Sequence, residues 1–203
     1  MTTKSELEGE SRRKQEKTMS DSNVMQPHTR VLQHVPRWGI IRTIRQQSVA
    51  EHSYYVTLYA GWIAQFLGRD WPDVLFILEH ALTHDFNEMV TGDIPQPYKN
   101  CITDVKDTKI CSASRSMMLS IHTVHGDDQE TCKKIIKVAD LFEACMYLKD
   151  EMGMGNSTVS DLYQLMTTNL FNLTSALSED LWVELQSHLE ADRTRTLTQF
   201  GLK

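Results

Sequence analysis

The stretch WPDVLFILEHALTHDF, residues 71–86, decides the fold class of this 203-residue chain. It has the pattern of a buried helix, with Asp70 available as its N-cap and Pro72 in the first turn, where proline is tolerated. The helix closes on His84 and Asp85, two ionisable residues side by side at the end of an apolar run. Leaving them there unpaired would be costly, so the fold must bring partners to them.

Helical patterns continue along almost the whole chain. TGDIPQPYKN at 91–100 is predicted to be a loop, because Gly92, Pro95 and Pro97 break regular structure. No alternating, β-branched run bounded by turns is present in the sequence. The fold class is therefore predicted to be all-α, a compact helical bundle. The other predicted helices are 49–68 (stopped by Gly68), about 107–125, about 128–150, about 157–173 and about 179–195 (capped by Ser178).

Composition excludes several classes of function. A net charge of −6 argues against charge-driven nucleic-acid binding. No apolar run approaches the roughly 18 residues of a membrane span, and no apolar stretch near the N-terminus indicates a secretory signal. Four cysteines without a CxxC pair are typical of reduced, packed thiols. We therefore expect a cytoplasmic protein that binds neither nucleic acid nor membrane.

The first 27 residues differ from the rest of the chain. They are polar, carry both charges and contain no aromatic residue. Such a segment cannot bury enough apolar surface to offset its ordering entropy. Residues 1–27 are therefore predicted to be a disordered extension, and 28–203 to be one domain.

Metal binding is the first chemistry that the polar residues suggest. His52 lies early in one predicted helix, His84 and Asp85 close the next, and Asp140 lies within the apolar run IIKVADLFEA. A mid-helix aspartate in such surroundings is rarely without a partner. Imidazole and carboxylate together suit Zn, Mn, Fe, Co or Ni, and helical bundles commonly build metal sites from facing helices.

Each of these residues also has an ordinary structural explanation. Asp85 could cap the next turn, and His52 could be a hydrogen-bonded core histidine. Asp140 could pair with Lys137 or Arg115. The specific signal is therefore the combination of all four residues in this order.

That order resembles the H…HD…D signature of the HD-domain metal-dependent phosphohydrolases. Residues 36–53, 84–99 and 137–144 are similar to the PRW/HRW…R…ENVSEHS, HDxxExxTGDxPxPxK and KxAD segments of the bacterial 5′-deoxynucleotidases. The stretch between His84 and Asp140 is short, and in this it resembles the phage dATP triphosphohydrolases, which remove the whole triphosphate from dATP. The cellular enzymes usually carry a longer insertion there.

The resemblance implies a metal site with the ligands His52, His84, Asp85 and Asp140. It implies a divalent ion, Zn, Co, Mn or Mg, and allows a second ion at the phosphates. Glu88, one turn after Asp85, suits a general acid/base or a ligand of that second ion. Asp93 matches a position of the catalytic pocket, although it could equally form a turn with Thr91.

The resemblance also implies a substrate site. Arg37, Lys99 and Lys137 match basic residues that contact phosphate, and both lysines are candidates for catalysis as well. Trp38 matches a position beside the deoxyribose that leaves no room for a 2′-hydroxyl. Ile40 and Pro97 match neighbouring positions of the pocket.

The leading hypothesis is thus a dATP triphosphohydrolase that converts dATP and water to deoxyadenosine and triphosphate, and so depletes dATP. One alternative is a 5′-deoxynucleotidase that releases phosphate from dNMPs. A second is a non-catalytic nucleotide-binding module, and a third is an HD phosphohydrolase for a cyclic or signalling nucleotide. The family also implies a homo-oligomer, a dimer or a hexamer. A phage-encoded protein would act in the host cytoplasm.

Overall fold

A computed structural model of the chain describes residues 28–95 and 128–191. Within these ranges the only ladder contact is an isolated bridge between Pro36 and Ser48, so the prediction of an all-α fold is confirmed. The elements are a 3-10 helix His28–His34, α1 Val49–Phe66, α2 Trp71–Thr83, α3 Glu88–Thr91, α4 Asp128–Gly153, a 3-10 turn Ser157–Val159, α5 Ser160–Ser175 and α6 Glu179–Glu190.

Two predicted N-caps are confirmed. The side chain of Asp70 accepts a hydrogen bond from the Asp73 amide at the start of α2. That of Ser178 accepts one from the Leu181 amide at the start of α6. Each bond satisfies an amide that the first helical turn leaves without an intrahelical partner. The predicted helix at 107–125 lies outside the described residues.

The α2 helix ends at Thr83, three residues before its predicted end at Phe86, so that prediction was wrong at its C-terminus. The His84 ring donates from Nδ1 to the Ala81 carbonyl, over 2.6 Å. A continuing helix would offer this carbonyl to the Asp85 amide. The chain turns instead through residues 84–87 and begins α3 at Glu88.

The main core lies between α1, α2 and α4, and α5 and α6 close it. Each large apolar side chain that it buries fully contributes roughly 1.5–3 kcal/mol. Gly61 lets α1 and α2 approach closely, since a Cβ there would lie 2.8 Å from Leu78 Cδ2. The fully buried large apolar side chains include Ile63, Ile77, Ile135, Phe142 and Leu185.

A smaller cluster attaches the N-terminal 3-10 helix to the start of α1. Leu32, Val35 and Val49 are buried there, with Phe86 and Met89 packed against them. This attachment sends the irregular segment 36–48 along α4. None of the described helices is both long and apolar enough to cross a membrane.

Candidate metal and nucleotide site

The predicted metal ligands converge where α1, the end of α2 and α4 meet. One ligand atom from each of His52, His84 and Asp85 lies within 4.8 Å of the others. Asp140 adjoins this group, with its Oδ1 atom 3.3 Å from His52 Nε2. The His52 side chain is fully buried, whereas the other three side chains keep a small exposed fraction of 11–18%. The group is therefore largely buried, with a small exposed fraction on His84, Asp85 and Asp140.

Both imidazole rings are held so that Nε2 faces this group. His84 Nδ1 donates to the Ala81 carbonyl over 2.6 Å, and His52 Nδ1 donates to Glu143 Oε2 over 2.5 Å. The Nε2 atoms therefore face the carboxylates of Asp85 and Asp140. Among the described residues no hydrogen bond of normal geometry reaches either buried Nε2 atom. A divalent cation would satisfy both nitrogens, so the residues present fit a metal ion.

Two cations stand beside these carboxylates. Arg37 spans them, with Nη1 3.2 Å from Asp85 Oδ2 and Nη2 3.4 Å from Asp140 Oδ1. Lys137 donates to Asp140 Oδ2 over 2.6 Å. This is one of the two pairings that the sequence offered as an ordinary structural role for Asp140. Burial disfavours the charged form of Asp140, but contact with His52 and the charges of Lys137 and Arg37 hold its pKa well below the usual value. Asp140 is therefore a carboxylate at neutral pH.

Trp38 is fixed by three contacts beside this cluster. Its backbone amide donates to Asp93 Oδ2 over 3.0 Å, and its indole Nε1 donates to Gln47 Oε1 over 3.1 Å. The ring stacks on Tyr147 with the centroids 5.6 Å apart. The backbone of Trp38 has φ 67°, a left-handed conformation that a bulky residue seldom adopts. Asp93 therefore holds Trp38 directly, and its catalytic role stays a prediction.

The remaining predicted site residues have mixed placements. Glu88 is buried as the first residue of α3, and its amide donates to the Asp85 carbonyl over 3.0 Å. This places it one turn beyond the ligand pair, as the sequence predicted, and its chemical role stays a prediction. Ile40 is exposed, two residues after Trp38. Pro97 and Lys99 lie outside the described residues.

Three buried polar residues were missed from the sequence: Gln47, Glu143 and Glu151. Glu143 bonds His52, and Gln47 Nε2 donates to Glu143 Oε1 over 2.6 Å. A signal for Glu143 was available, because it follows Asp140 by three residues on the apolar helix and so shares its face. Gln47 carries no such signal, since it lies in a polar segment.

Glu151 anchors the segment that carries Arg37 and Trp38. Its carboxylate accepts from the amides of Ile44, over 2.6 Å, and Arg45, over 2.8 Å, and from Asn156 Nδ2. Burial opposes ionisation of Glu151, but these hydrogen bonds from Asn156 and the two amides prevail and lower its pKa. A charged, buried side chain therefore fixes the path of this irregular segment.

Comparison with known proteins places this geometry in a family. The family model of the YfbR-like 5′-deoxynucleotidases matches residues 27–185. A dATP triphosphohydrolase of cyanophage S-2L is 27% identical over 164 residues, which cover 81% of this chain and 90% of that protein. A dATP triphosphohydrolase of Salmonella phage PMBT28 is 34% identical over 146 residues, covering 66% of this chain and 70% of that protein.

A solved structure has the same fold. It is the HD phosphohydrolase DatZ of cyanophage S-2L, bound to dA and one catalytic Zn2+ ion, with a TM-score of 0.58 and 24% identity. The match covers 86% of this chain and 96% of that one. The described helices thus form an HD-type bundle, and the family match spans most of the chain. This chain belongs to the YfbR-like 5′-deoxynucleotidase family.

Proposed function

We propose that the chain is a metal-dependent dATP triphosphohydrolase, which hydrolyses dATP to deoxyadenosine and triphosphate. One observation carries the proposal. The Nε2 atoms of two histidines lie beside the carboxylates of Asp85 and Asp140, and Arg37 and Lys137 contact the same carboxylates. Such a site can take a cation and an anion together. Two phage dATP triphosphohydrolases align with this chain over 90% and 70% of their own lengths.

His52, His84, Asp85 and Asp140 would hold the metal ion. Two imidazole nitrogens favour Zn2+, Co2+ or Mn2+ over Mg2+, which prefers an all-oxygen shell. When bound, the ion supplies Lewis-acid polarisation of the phosphoryl group that is attacked. Glu143 holds the His52 ring in the ligating tautomer, and the Ala81 carbonyl does the same for His84.

The cations of the site serve the phosphate chain. Arg37 lies against Asp85 and Asp140, so its guanidinium is placed where a phosphate beside these carboxylates would need a bidentate donor. Lys137 adds a second positive charge next to Asp140, and its side chain is 55% exposed, so it can reach toward a ligand. Both charges would stabilise the negative charge that develops during phosphoryl transfer.

Protein groups would also handle the proton and the sugar. Glu88 is buried one turn beyond Asp85, which suits a carboxyl group that takes or gives a proton away from bulk water. Trp38, held by Asp93, Gln47 and Tyr147, would wall the deoxyribose and exclude a 2′-hydroxyl. Ile40, Pro97 and Lys99 would complete this side of the pocket and the phosphate contacts.

The test is direct. Purified full-length protein is incubated with each dNTP and each dNMP in the presence of Zn2+, Co2+, Mn2+ or Mg2+, and the products are separated by anion-exchange chromatography. Release of triphosphate from dATP, with little from ATP, is the expected result. Turnover of neither dNTP nor dNMP would overturn the proposal.

A second candidate function is favoured by the family itself, whose name records a 5′-deoxynucleotidase activity. In that case the same metal and cations would act on the single phosphate of a dNMP. The incubation separates the two, because inorganic phosphate from several dNMPs, without triphosphate from dATP, would identify a 5′-deoxynucleotidase. A thermal shift with dATP but no hydrolysis with any metal would identify a non-catalytic nucleotide-binding module.

The proposed setting is a homo-oligomer in the cytoplasm, where deoxynucleotides are available. Tyr54, Tyr55 and Leu58 are exposed on α1, and neighbouring exposed apolar residues often mark a protein interface. Light scattering coupled to size-exclusion chromatography would distinguish a dimer, a hexamer and a monomer. A monomer at all concentrations would exclude this part of the proposal.

A further inference from the structure

A continuous chain of hydrogen bonds joins the sugar wall to the metal ligand. Trp38 Nε1 donates to Gln47 Oε1 over 3.1 Å, and Gln47 Nε2 donates to Glu143 Oε1 over 2.6 Å. Glu143 Oε2 accepts from His52 Nδ1 over 2.5 Å. Gln47, Glu143 and His52 are exposed by 3% or less. Water therefore cannot easily replace any of the inner bonds.

The chemistry of Gln47 matches its place in this chain. Its neighbours make opposite demands, because the indole of Trp38 can only donate and the carboxylate of Glu143 can only accept. A carboxamide meets both with one side chain. Gln47 also fixes the neighbouring backbone, since its carbonyl accepts from the Arg37 amide over 2.8 Å.

We infer that Gln47 is a positioning residue that couples the Trp38 wall to the metal ligand His52. The inference rests on the proposed metal and sugar sites. Loss of the Gln47 side chain would leave the indole N–H without its acceptor and would remove one of the donors that hold Glu143. Glu143 orients the His52 ring, so metal affinity and sugar selection should change together.

Four variants of the full-length protein test this inference. Gln47→Met keeps the length of the side chain and removes both bonds. Gln47→Glu keeps an acceptor for Trp38 but sets a second carboxylate against Glu143. Trp38→Phe removes the indole N–H and keeps a smaller aromatic ring. Gln46→Met is the matched control, because Gln46 is the exposed neighbour of Gln47.

Two readouts are measured on each variant. Co2+ affinity is obtained by isothermal titration calorimetry, and sugar selection is the ratio of kcat/KM for dATP to kcat/KM for ATP. Gln47→Met should lower Co2+ affinity about tenfold and lower the dATP:ATP ratio as well. Gln47→Glu should lower Co2+ affinity and retain more of the ratio. Gln46→Met should match the wild type in both.

Trp38→Phe is the most specific of the four variants, and it still tests the inference if Gln47→Met does not fold. Trp38 makes no hydrogen bond to a proposed metal ligand among the described residues, and phenylalanine keeps an aromatic ring beside Arg37. We therefore expect a fall in Co2+ affinity of about threefold, caused by loss of the bond to Gln47. Unchanged Co2+ affinity in Trp38→Phe and Gln47→Met would overturn the coupling. A lower Tm with unchanged affinity and ratio would also overturn it, since Gln47 would then be only structural.

The proposed function can fail separately from this inference. Wild-type protein that binds Co2+ but hydrolyses no deoxynucleotide would overturn the function. Loss of Co2+ affinity in Gln47→Met and Trp38→Phe would still support the coupling, because calorimetry requires no turnover. Wild-type protein without Co2+ affinity would overturn the inference itself.

Discussion

The two halves of the site are held in different ways. The proposed metal ligands project from α1, from the turn after α2 and from α4, whose positions are set by a packed apolar core. Arg37 and Trp38 lie instead on the segment 36–48, where only one isolated backbone bridge gives regular structure. Buried polar groups on α4, Glu143 and Glu151, hold that segment.

This difference separates two requirements of the proposed chemistry. A metal site tolerates little displacement, and helices anchored in a core provide rigid positions. A substrate wall needs a particular shape, and an irregular segment can supply backbone conformations that a helix cannot, such as the left-handed Trp38. The segment keeps that shape because the amides of Ile44 and Arg45 and the side chain of Gln47 are hydrogen-bonded to buried carboxylates of α4.

The largest effect is expected from breaking the helical half. Asp140→Ala removes a carboxylate that faces His52, Arg37 and Lys137. We expect turnover of dATP to fall at least about a hundredfold and Co2+ binding to be lost, with the helical content unchanged in circular dichroism. Asp161→Ala, at an exposed position on α5, is the control. Wild-type activity in Asp140→Ala would show that the ligand set is wrong.

The next effect comes from the contact between the two halves. Glu143→Gln keeps the size of the side chain and removes the charge that fixes the His52 tautomer. We expect Co2+ affinity, measured by calorimetry, to fall about tenfold. Glu179→Gln on the exposed start of α6 should have no effect. Equal affinity in wild type and Glu143→Gln would mean that His52 is oriented by packing alone.

A smaller effect is expected from the anchor of the irregular half. Glu151→Gln weakens the acceptor for the Ile44 and Arg45 amides, and we expect a loss of about 2 kcal/mol in the free energy of unfolding at pH 7. The folded-state pKa of Glu151 is lowered, so its stabilisation is present above about pH 4.3, the value of an unfolded glutamate, and is lost as the pH falls further.

Urea titrations at a series of pH values check this prediction. The difference in unfolding free energy between wild type and Glu151→Gln should be full at pH 7 and should shrink in acid. Since the segment carries Arg37 and Trp38, KM for dATP should also rise. A difference that is independent of pH would show that the ionisation of Glu151 does not contribute.

The smallest effect is expected from the side chain of Arg45. Its guanidinium pairs with Glu51 over 2.5 Å, but the two side chains are 44% and 31% exposed. Arg45→Gln should change the free energy of unfolding by less than about 1 kcal/mol, since solvent screens such pairs. Glu151→Gln tests the hydrogen bond of the Arg45 backbone amide, whereas Arg45→Gln tests the ion pair of the Arg45 side chain. A larger loss of unfolding free energy in Arg45→Gln than in Glu151→Gln would contradict this prediction.

The helical half could be predicted from the sequence because its signals are local. The caps at Asp70 and Ser178 depend on residues three positions ahead. The grouping of His52, His84 and Asp85 followed from polar residues in otherwise apolar helices. The end of α2 was predicted wrongly because the hydrogen bond from the His84 side chain to the Ala81 carbonyl leaves no mark in the sequence. The residues of the turn after Thr83 are types that also occur in helices.

The irregular half could not be predicted in the same way. Gln47 meets Glu143 across 96 positions of sequence, and Ile44 meets Glu151 across 107. No periodicity records such pairs, and a glutamine in a polar segment is ordinarily exposed. The resemblance to HD phosphohydrolases pointed to Arg37 and Trp38, but it gave no account of what holds them.

The left-handed backbone of Trp38 has a consequence for variation and engineering. A bulky residue at this φ costs of order 1 kcal/mol or more, which a glycine would recover. The stack on Tyr147 and the bond to Gln47 offset that cost, so the strain persists only while a tryptophan side chain fills the position. A glycine at position 38 would relax the backbone and lose both contacts, so we expect it to lower the thermostability of the protein.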